Sequence, residues 1–420
     1  NGATWTAPLD MPMPNKLATR QSDPWLIWKD DSLFYAYLEF TIDGTISRIT
    51  MAKSTDYGET WTTTSASRGI GFADKETMTV SNDGTVYVAY DDIDEFSTIV
   101  RLTRSDDDGD TFKEISVIAD SVNDPEDHVG PYVTTDSSNS VYVAWFRLTD
   151  DPWGDIYLTS SSDRGVTLSN AKDINTDSEN CSYIDLGGRP SKLSLPVIRF
   201  DRNDRLYVIW SEKYEPNGSW DVYLKYSDDR GLNWSSRYQV NPITEGNQWQ
   251  PDMDIDSKGR VHVVWYDQQG ASFRPCYRMI TFPEVMENDP VFSDPIAVAS
   301  VNTSNFFTRP GDYFTIRVDS NDIPHVVWTD GRNVEMDIYY SHGILGQPPL
   351  TITTSTPEQP PSTTTTSTPE QPPSTTTTSS SLETTSSTTT TTELAGTREI
   401  LTVVIAFSTL MVFSRRRKKK

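Results

Sequence analysis

Few residue constellations in this chain of 420 residues carry chemistry, and most familiar ones are missing. The 4 histidines are scattered without metal-ligand spacing. No Ser-His-Asp pattern, nucleotide-binding glycine loop or thiol motif is present. The run SDDDGD (105–110) invites a calcium reading, but Asp-x-Asp-x-Asp-Gly would need an acid where Arg104 stands. What remains is a set of Arg, Asp, Glu and Tyr residues at the ends of strand-like runs. One group comprises Arg20, Asp23, Asp74, Lys75, Glu76, Asp127, His128, Arg189, Gln250, Asp252, Arg309, Asp312 and Tyr313. The other comprises Glu39, Asp91, Asp92, Arg147, Glu212, Asp267, Asp330 and Arg332. Arg and Asp in such places commonly serve as solvated or ion-paired rim residues, so a catalytic role has to come from how the elements group them.

Those elements repeat. STDYGETW (54–61), SDDDGDTF (105–112), SSDRGVTL (161–168) and SDDRGLNW (227–234) share the frame Ser-x-Asp-x-Gly-x-x-aromatic or Leu. Ser and Asp side chains hydrogen-bond to a turn backbone, and Gly supplies positive φ. The closing aromatic is expected to pack on the adjacent strand layer. A second repeat is a single strand written six times: LFYAY (33–37), VYVAY (86–90), VYVAW (141–145), LYVIW (206–210), VHVVW (261–265) and PHVVW (324–328). His262 and His325 stand in its Tyr slot, which explains them as packing residues. Apolar residues on both strand faces suit a sheet buried between other sheets.

The turn frame together with the six strands resembles the Asp-box repeat of the sialidase superfamily. That resemblance covers residues 1–345. It implies an all-β fold, a six-bladed β-propeller whose Asp-boxes are structural turns on one face. Function is then expected on the opposite face, where the blade-to-blade loops gather. The sixth blade has its third strand at Asp337–Ser341 and no obvious fourth. The segment Thr4–Asp10 follows what reads as the end of an Asp-box, so it is expected to close the ring as the outer strand of blade six. Pro8 is tolerable on such an edge.

The resemblance also suggests roles. A sialidase clamps the substrate carboxylate with three Arg, attacks with a Tyr assisted by Glu, and uses an Asp acid. The positions that match are Arg189, Arg309 and either Arg20 or Arg332 for the clamp, Tyr313 with Glu212 for the nucleophile, and Asp74 for the acid. The first inner strand departs from the family's Arg-Ile-Pro: it reads Ser22-Asp23-Pro24-Trp25, with Arg20 displaced. Trp25, Trp153, Trp220 and Trp249 near that face suit sugar stacking. Two functions follow as expectations, a glycan-cleaving enzyme of exo-sialidase type and a non-catalytic propeller that binds glycans or proteins. Neither calls for a metal or a cofactor.

Beyond residue 345 the composition changes. STPEQPPSTTTT occurs twice in succession (355–366 and 367–378), and Ser and Thr continue to Thr392. With so little apolar content, residues 346–393 read as a disordered Thr/Ser/Pro stalk. Residues 394–420 contain ILTVVIAFSTLMVF (400–413) followed by SRRRKKK. This layout resembles prokaryotic C-terminal surface-sorting signals and gives the expectation of a transmembrane helix, an extracellular head and anchorage to the cell membrane or envelope. Residues 351–420 hold 7 Lys/Arg and 5 Asp/Glu of the chain's 36 and 60, which leaves 29 against 55, or −26, in residues 1–350. Such an acidic head disfavours nucleic acid as a partner. Cys181 and Cys276 fall in different repeats, which favours two unpaired thiols over a single bridge.

Overall fold

The computed structural model describes residues 9–343 and 353–355, apart from 42, 45, 68–70, 94–96, 121–126, 149–152, 177–180, 183–194, 214–217, 271, 284–288, 300–301, 305–312 and 333–336. All regular structure among them is β-strand.

The strands fall into six antiparallel units. The first holds β1 (Arg20–Lys29), β2 (Ser32–Phe40), β3 (Ser47–Ser54) and β4 (Thr62–Ser65), and the second β5 (Phe72–Val80), β6 (Val86–Ile93), β7 (Thr98–Ser105) and β8 (Lys113–Asp120). A single parallel bridge, Ser47 to Phe72, joins these two into one sheet. The third unit holds β9 (Asp127–Thr135), β10 (Val141–Leu148) and β11 (Trp153–Ser161), with the short β12 (Lys172–Asp173) and β13 (Cys181–Ser182) both on β11. The fourth holds β14 (Val197–Phe200), β15 (Leu206–Glu212), β16 (Asp221–Ser227) and β17 (Tyr238–Gln239). In the fifth, β18 (Asn247–Ile255), β19 (Val261–Gln269) and β20 (Ser272–Thr281) are followed by β21 (Val291–Phe292), β22 (Ile296–Ala297) and β23 (Thr303–Ser304), all on β20. The sixth holds β24 (Thr315–Val318), β25 (Pro324–Asp330), β26 (Asp337–His342) and β27 (Thr353–Ser355).

Each six-fold-repeated run is the second strand of its unit. In the fourth unit it is sealed on both faces, β15 being buried along its whole length, whereas in the sixth β25 alternates buried with half-buried residues. Apolar side chains of neighbouring units interleave. Phe34, Ala36 and Leu38 meet Met78, Val86 and Val88 between the first two units. Trp249, Tyr266, Phe314 and Trp328 fill the space between the last two.

The four Ser-x-Asp turns are near copies. Ser54, Ser105, Ser161 and Ser227 donate from Oγ to the Asp two residues on at 2.6–2.8 Å and accept from the Gly N–H at 2.7–2.8 Å. Gly58, Gly109, Gly165 and Gly231 all have φ between 84° and 89°, which a side chain would oppose. The closing aromatic does not wholly serve the neighbouring layer: Trp61 folds back and donates from Nε1 to Gly58 O at 3.0 Å.

One expectation is corrected. The place beside β26 assigned to Thr4–Asp10 is taken, along Tyr340–His342, by Thr353–Ser355. β-branched Thr suits an outer strand. Residues 4–8 lie outside the described residues, and Leu9 and Asp10 belong to no strand. The described sheet therefore runs past residue 345. The rest of 346–393 and all of 394–420, including the apolar run 400–413, lie outside the described residues. Among the described residues, no helix is long and apolar enough to cross a membrane.

Candidate functional site

The innermost strands share a device that the repeat motifs do not announce. In β1, β5, β9 and β18 two residues stand opposite one of the second strand, and the first of the two has positive φ. The pairs are Asp23-Pro24 opposite Tyr37, Lys75-Glu76 opposite Tyr90, Gly130-Pro131 opposite Trp145, and Gln250-Pro251 opposite Trp265. The φ values are 55°, 54°, 64° and 51°. Such β-bulges re-aim side chains, and positive φ at Asp, Lys and Gln costs on the order of 1 kcal/mol or more each. The partner at each bulge is the last aromatic of the repeated strand. Pro after the bulged residue in three of the four was the available signal, because Pro has no N–H to give the ladder. In the sixth unit Tyr313 and Phe314 directly precede β24, at the corresponding place.

Contacts at this level run from unit to unit. Trp25 Nε1 donates to Met78 O at 3.0 Å. Asp91, on β6, accepts the Gly130 N–H at 3.0 and 3.2 Å. The Arg199 guanidinium lies 5.3 Å over the Tyr132 ring, and Arg199 Nε donates to Met253 O at 3.3 Å. Asp252 Oδ2 accepts from Thr315 Oγ1, Ile316 N and Arg317 Nη1 at 2.9–3.1 Å. Finally Tyr313 Oη lies 3.5 Å from Asp23 Oδ2, a long hydrogen bond from the sixth unit back to the first.

Carboxyl groups dominate the first-to-second-unit side of this level. Asp74, on β5, is partly exposed and lies 3.6 Å from Lys75 Nζ. Glu76 is fully buried, and neither of its carboxyl oxygens has a hydrogen-bond partner. Burial, then the Asp23 charge, holds its carboxyl well above the usual carboxylate range. Asp91 is held up likewise, first by burial, against the opposing pull of the Gly130 N–H. Among the described residues no three His, Cys, Asp or Glu side chains are grouped so as to hold a metal ion.

The expected site residues fare differently. Tyr313 and Asp74 lie at the ends of inner strands, as expected. The pairing of Tyr313 with Glu212 is not what is found. Glu212 is fully buried, its carboxylate taking Trp210 Nε1 at 2.7 Å and the Arg237 guanidinium. Arg237 lies 25 residues on and closes over it, so Glu212 is an ion-pair residue of the fourth unit, and the carboxylate beside Tyr313 is Asp23. Arg332 is engaged by Asp330 and stacks 4.4 Å over Tyr339. Arg20 opens β1 opposite Phe40. Arg189 and Arg309 lie outside the described residues, so no three-Arg clamp is assembled among those described. Of the stacking candidates, Trp220, just before β16 in the fourth unit, and Trp249, on β18, are both buried in the apolar cluster that fills the space between the last two units. Trp25 packs edge-on to Tyr132 at 5.4 Å.

Neither a scan against protein-family models nor a search of curated proteins gives a match. Solved structures do. A leech intramolecular trans-sialidase complexed with 2,7-anhydro-Neu5Ac matches with TM-score 0.51 and 11% identity over 74% of this chain and 65% of that one. A polysaccharide lyase of family PL25, an ulvan lyase bound to -[GlcA(1-4)Rha3S]-, matches with TM-score 0.50 and 12% identity over 76% of this chain and 79% of that one. At such identity the likeness speaks for the fold alone: the chain folds as a β-propeller of the architecture found in glycan-acting enzymes.

Proposed function

We propose that this chain is a propeller that binds and cleaves glycans at the mouth formed by its bulged inner strands. The observation that carries the reading is the approach of Tyr313 Oη to Asp23 Oδ2, which joins a nucleophile and a carboxylate from opposite ends of the sequence. In this reading Tyr313 attacks, Asp23 accepts its proton, and Asp74 is the acid that protonates the leaving oxygen. The six units form a closed ring, with Tyr313–Asp23 as its last junction. An exo-sialidase version additionally needs Arg20, Arg189 and Arg309 to converge, since Asp330 already neutralises Arg332. The likeness to glycan-acting propellers supports the substrate class. The head, in the same proposal, is displayed outside the cell on the 346–393 stalk, with 394–420 as its anchor.

The test is release from a broad panel of glycosides by the wild-type head and by Tyr313→Phe, with binding followed in parallel on glycan arrays. Turnover is expected to fall by about 10³-fold or more in Tyr313→Phe, with binding almost unchanged. Binding without release by the wild type would leave a non-catalytic glycan-binding propeller, a reading favoured by the commitment of Glu212 and Arg332 to ion pairs. Blank results in both assays would overturn the proposal.

A further inference from the structure

One face of the first unit lacks the apolar layer that its composition calls for. Directly paired residues share a face of a sheet, so Gln21, Leu26 and Trp28 of β1 stand with Glu39, Tyr35 and Leu33 of β2. Tyr37 belongs there too, by alternation. The opposite face, with Phe34, Ala36 and Leu38, packs on the second unit. On the face in question Leu26 is 53% exposed, Trp28 51% and Tyr57, in the turn between β3 and β4, 72%. The rings of Trp28 and Tyr57 lie 5.4 Å apart, and that of Tyr35 lies 5.4 Å from Tyr37 and 6.1 Å from Trp61. In the other three Ser-x-Asp turns the residue in the place of Tyr57 is Asp108, Arg164 or Arg230, and each forms an ion pair with the preceding unit. Tyr57 offers a ring instead, which suits an apolar cover. Among the described residues no apolar cluster joins the sixth unit to the first.

The chain that leads into β1 already runs along this face. Asn15 N donates to Glu39 Oε2 at 3.3 Å, and Tyr37 Oη donates to Pro12 O at 2.6 Å. Gln21 Nε2 donates to the same Pro12 carbonyl at 2.8 Å. Going back from residue 15 to residue 12 therefore moves the chain from Glu39 to Tyr37, in the direction of Tyr35 and Leu33. Leu33, which stands opposite Trp28, is four strand residues beyond Tyr37, or about 13 Å. Trp5 precedes Pro12 by seven residues and can reach about 23 Å from it. The residues before Asp10 alternate: Ala3, Trp5, Ala7 and Leu9 are apolar, and Thr4, Thr6 and Asp10 between them are polar. An extended segment of that pattern turns Trp5 and both alanines to one side. The edge of β26, the other place suited to it, is covered by β27. We propose that residues 3–8 lie extended across this face of the first unit, with Trp5 seated against Trp28 and Tyr57. The segment then seals the first unit's side of the junction where Tyr313 meets Asp23. The inference needs no ligand and stands apart from the glycan reading.

The experiment is hydroxyl-radical footprinting of the full-length protein, read by mass spectrometry, beside a chain lacking residues 1–8 and the variants Trp5→Ser and Trp5→Phe. Leu26, Trp28 and Tyr57 are expected to label several-fold more slowly in the full-length protein than in the shortened chain. Trp5→Ser should lose most of that protection, and Trp5→Phe should keep it. Trp210, which is fully buried, labels slowly wherever the fold is intact. If the shortened chain fails that check, Trp5→Ser carries the comparison. Equal and fast labelling with and without Trp5 leaves the face open and overturns the proposal. Equal and slow labelling gives the face to the sixth unit or to a second copy and overturns it too, with sedimentation telling these two apart. Protection found only in a dimer places the segment on another copy and overturns its seating within one chain.

Discussion

Asp155, on β11, pairs in register with Arg147 and yet has its carboxyl pushed up to about 6, first by half-burial and then by the Asp173 carboxylate. The folded chain therefore holds this proton more tightly than the unfolded chain, whose Asp titrates near 3.8. Stability is full below pH ~4 and declines as pH rises to ~6, because ionisation is then opposed only in the folded state. A rise of that size corresponds to about 3 kcal/mol, which solvent screening at a half-exposed site reduces to about 1 kcal/mol. Asp155→Asn should accordingly gain about 1 kcal/mol in denaturant melts at pH 7 and nothing at pH 4. Equal gains at both pH values would show that the charge is not the cause. Residues of this kind mark the limit of legibility. The places of Tyr313, just before an inner strand, and of Asp74, near the start of one, can be read from the sequence. The partners of Glu212 and Tyr313 cannot, because Arg237 and Asp23 are brought to them by register and by a bulge rather than by sequence proximity.

At the scale of the element, the Ser-x-Asp turns hold together through side chains. Ser105 is fully buried, and its Oγ donates to Asp107 Oδ1 at 2.6 Å while accepting from Gly109 N at 2.8 Å. Ser105→Ala leaves a buried N–H without a partner and should cost about 1–2 kcal/mol in denaturant melts. Thr111→Ala, which loses only an exposed hydroxyl contact to Asp107, should cost less. If the two losses are equal, burial is not what sets the cost. Hydrogen bonds from Thr60, Ser105 and Ser161 come first in holding Asp56, Asp107 and Asp163 down to about 2. Their support of the fold is present above pH ~4 and is lost as pH falls toward 2. These turns were legible because one local frame dictates the whole network. The bulges were less so: an aromatic of the partner strand stands opposite each, and only Pro24, Pro131 and Pro251 betray them in the sequence.

At the scale of the whole molecule, the repeated strand revealed the architecture, since its residues are apolar on both faces wherever it recurs. The bounds of the shortest outer strands escaped. β12, β17 and β27 are two or three residues long, too short for any periodicity to register. The last of them carries a consequence for the edge of the sixth unit. A strand with an open edge is a template for another chain, and natural sheets cover such edges. Thr353–Ser355 covers β26 along Tyr340–His342 from within a stretch whose composition otherwise suits a stalk. A chain ending after residue 343 should therefore melt a few degrees lower than one ending after residue 360, the loss of a three-residue ladder being worth about 1–3 kcal/mol. The shorter chain should also self-associate through β26, which sedimentation at rising concentration would register. The longer chain should match the full-length protein in both respects. Identical melting and identical sedimentation of the two truncations would show that β27 adds nothing to the fold, and would reopen the edge of β26 to the N-terminal segment.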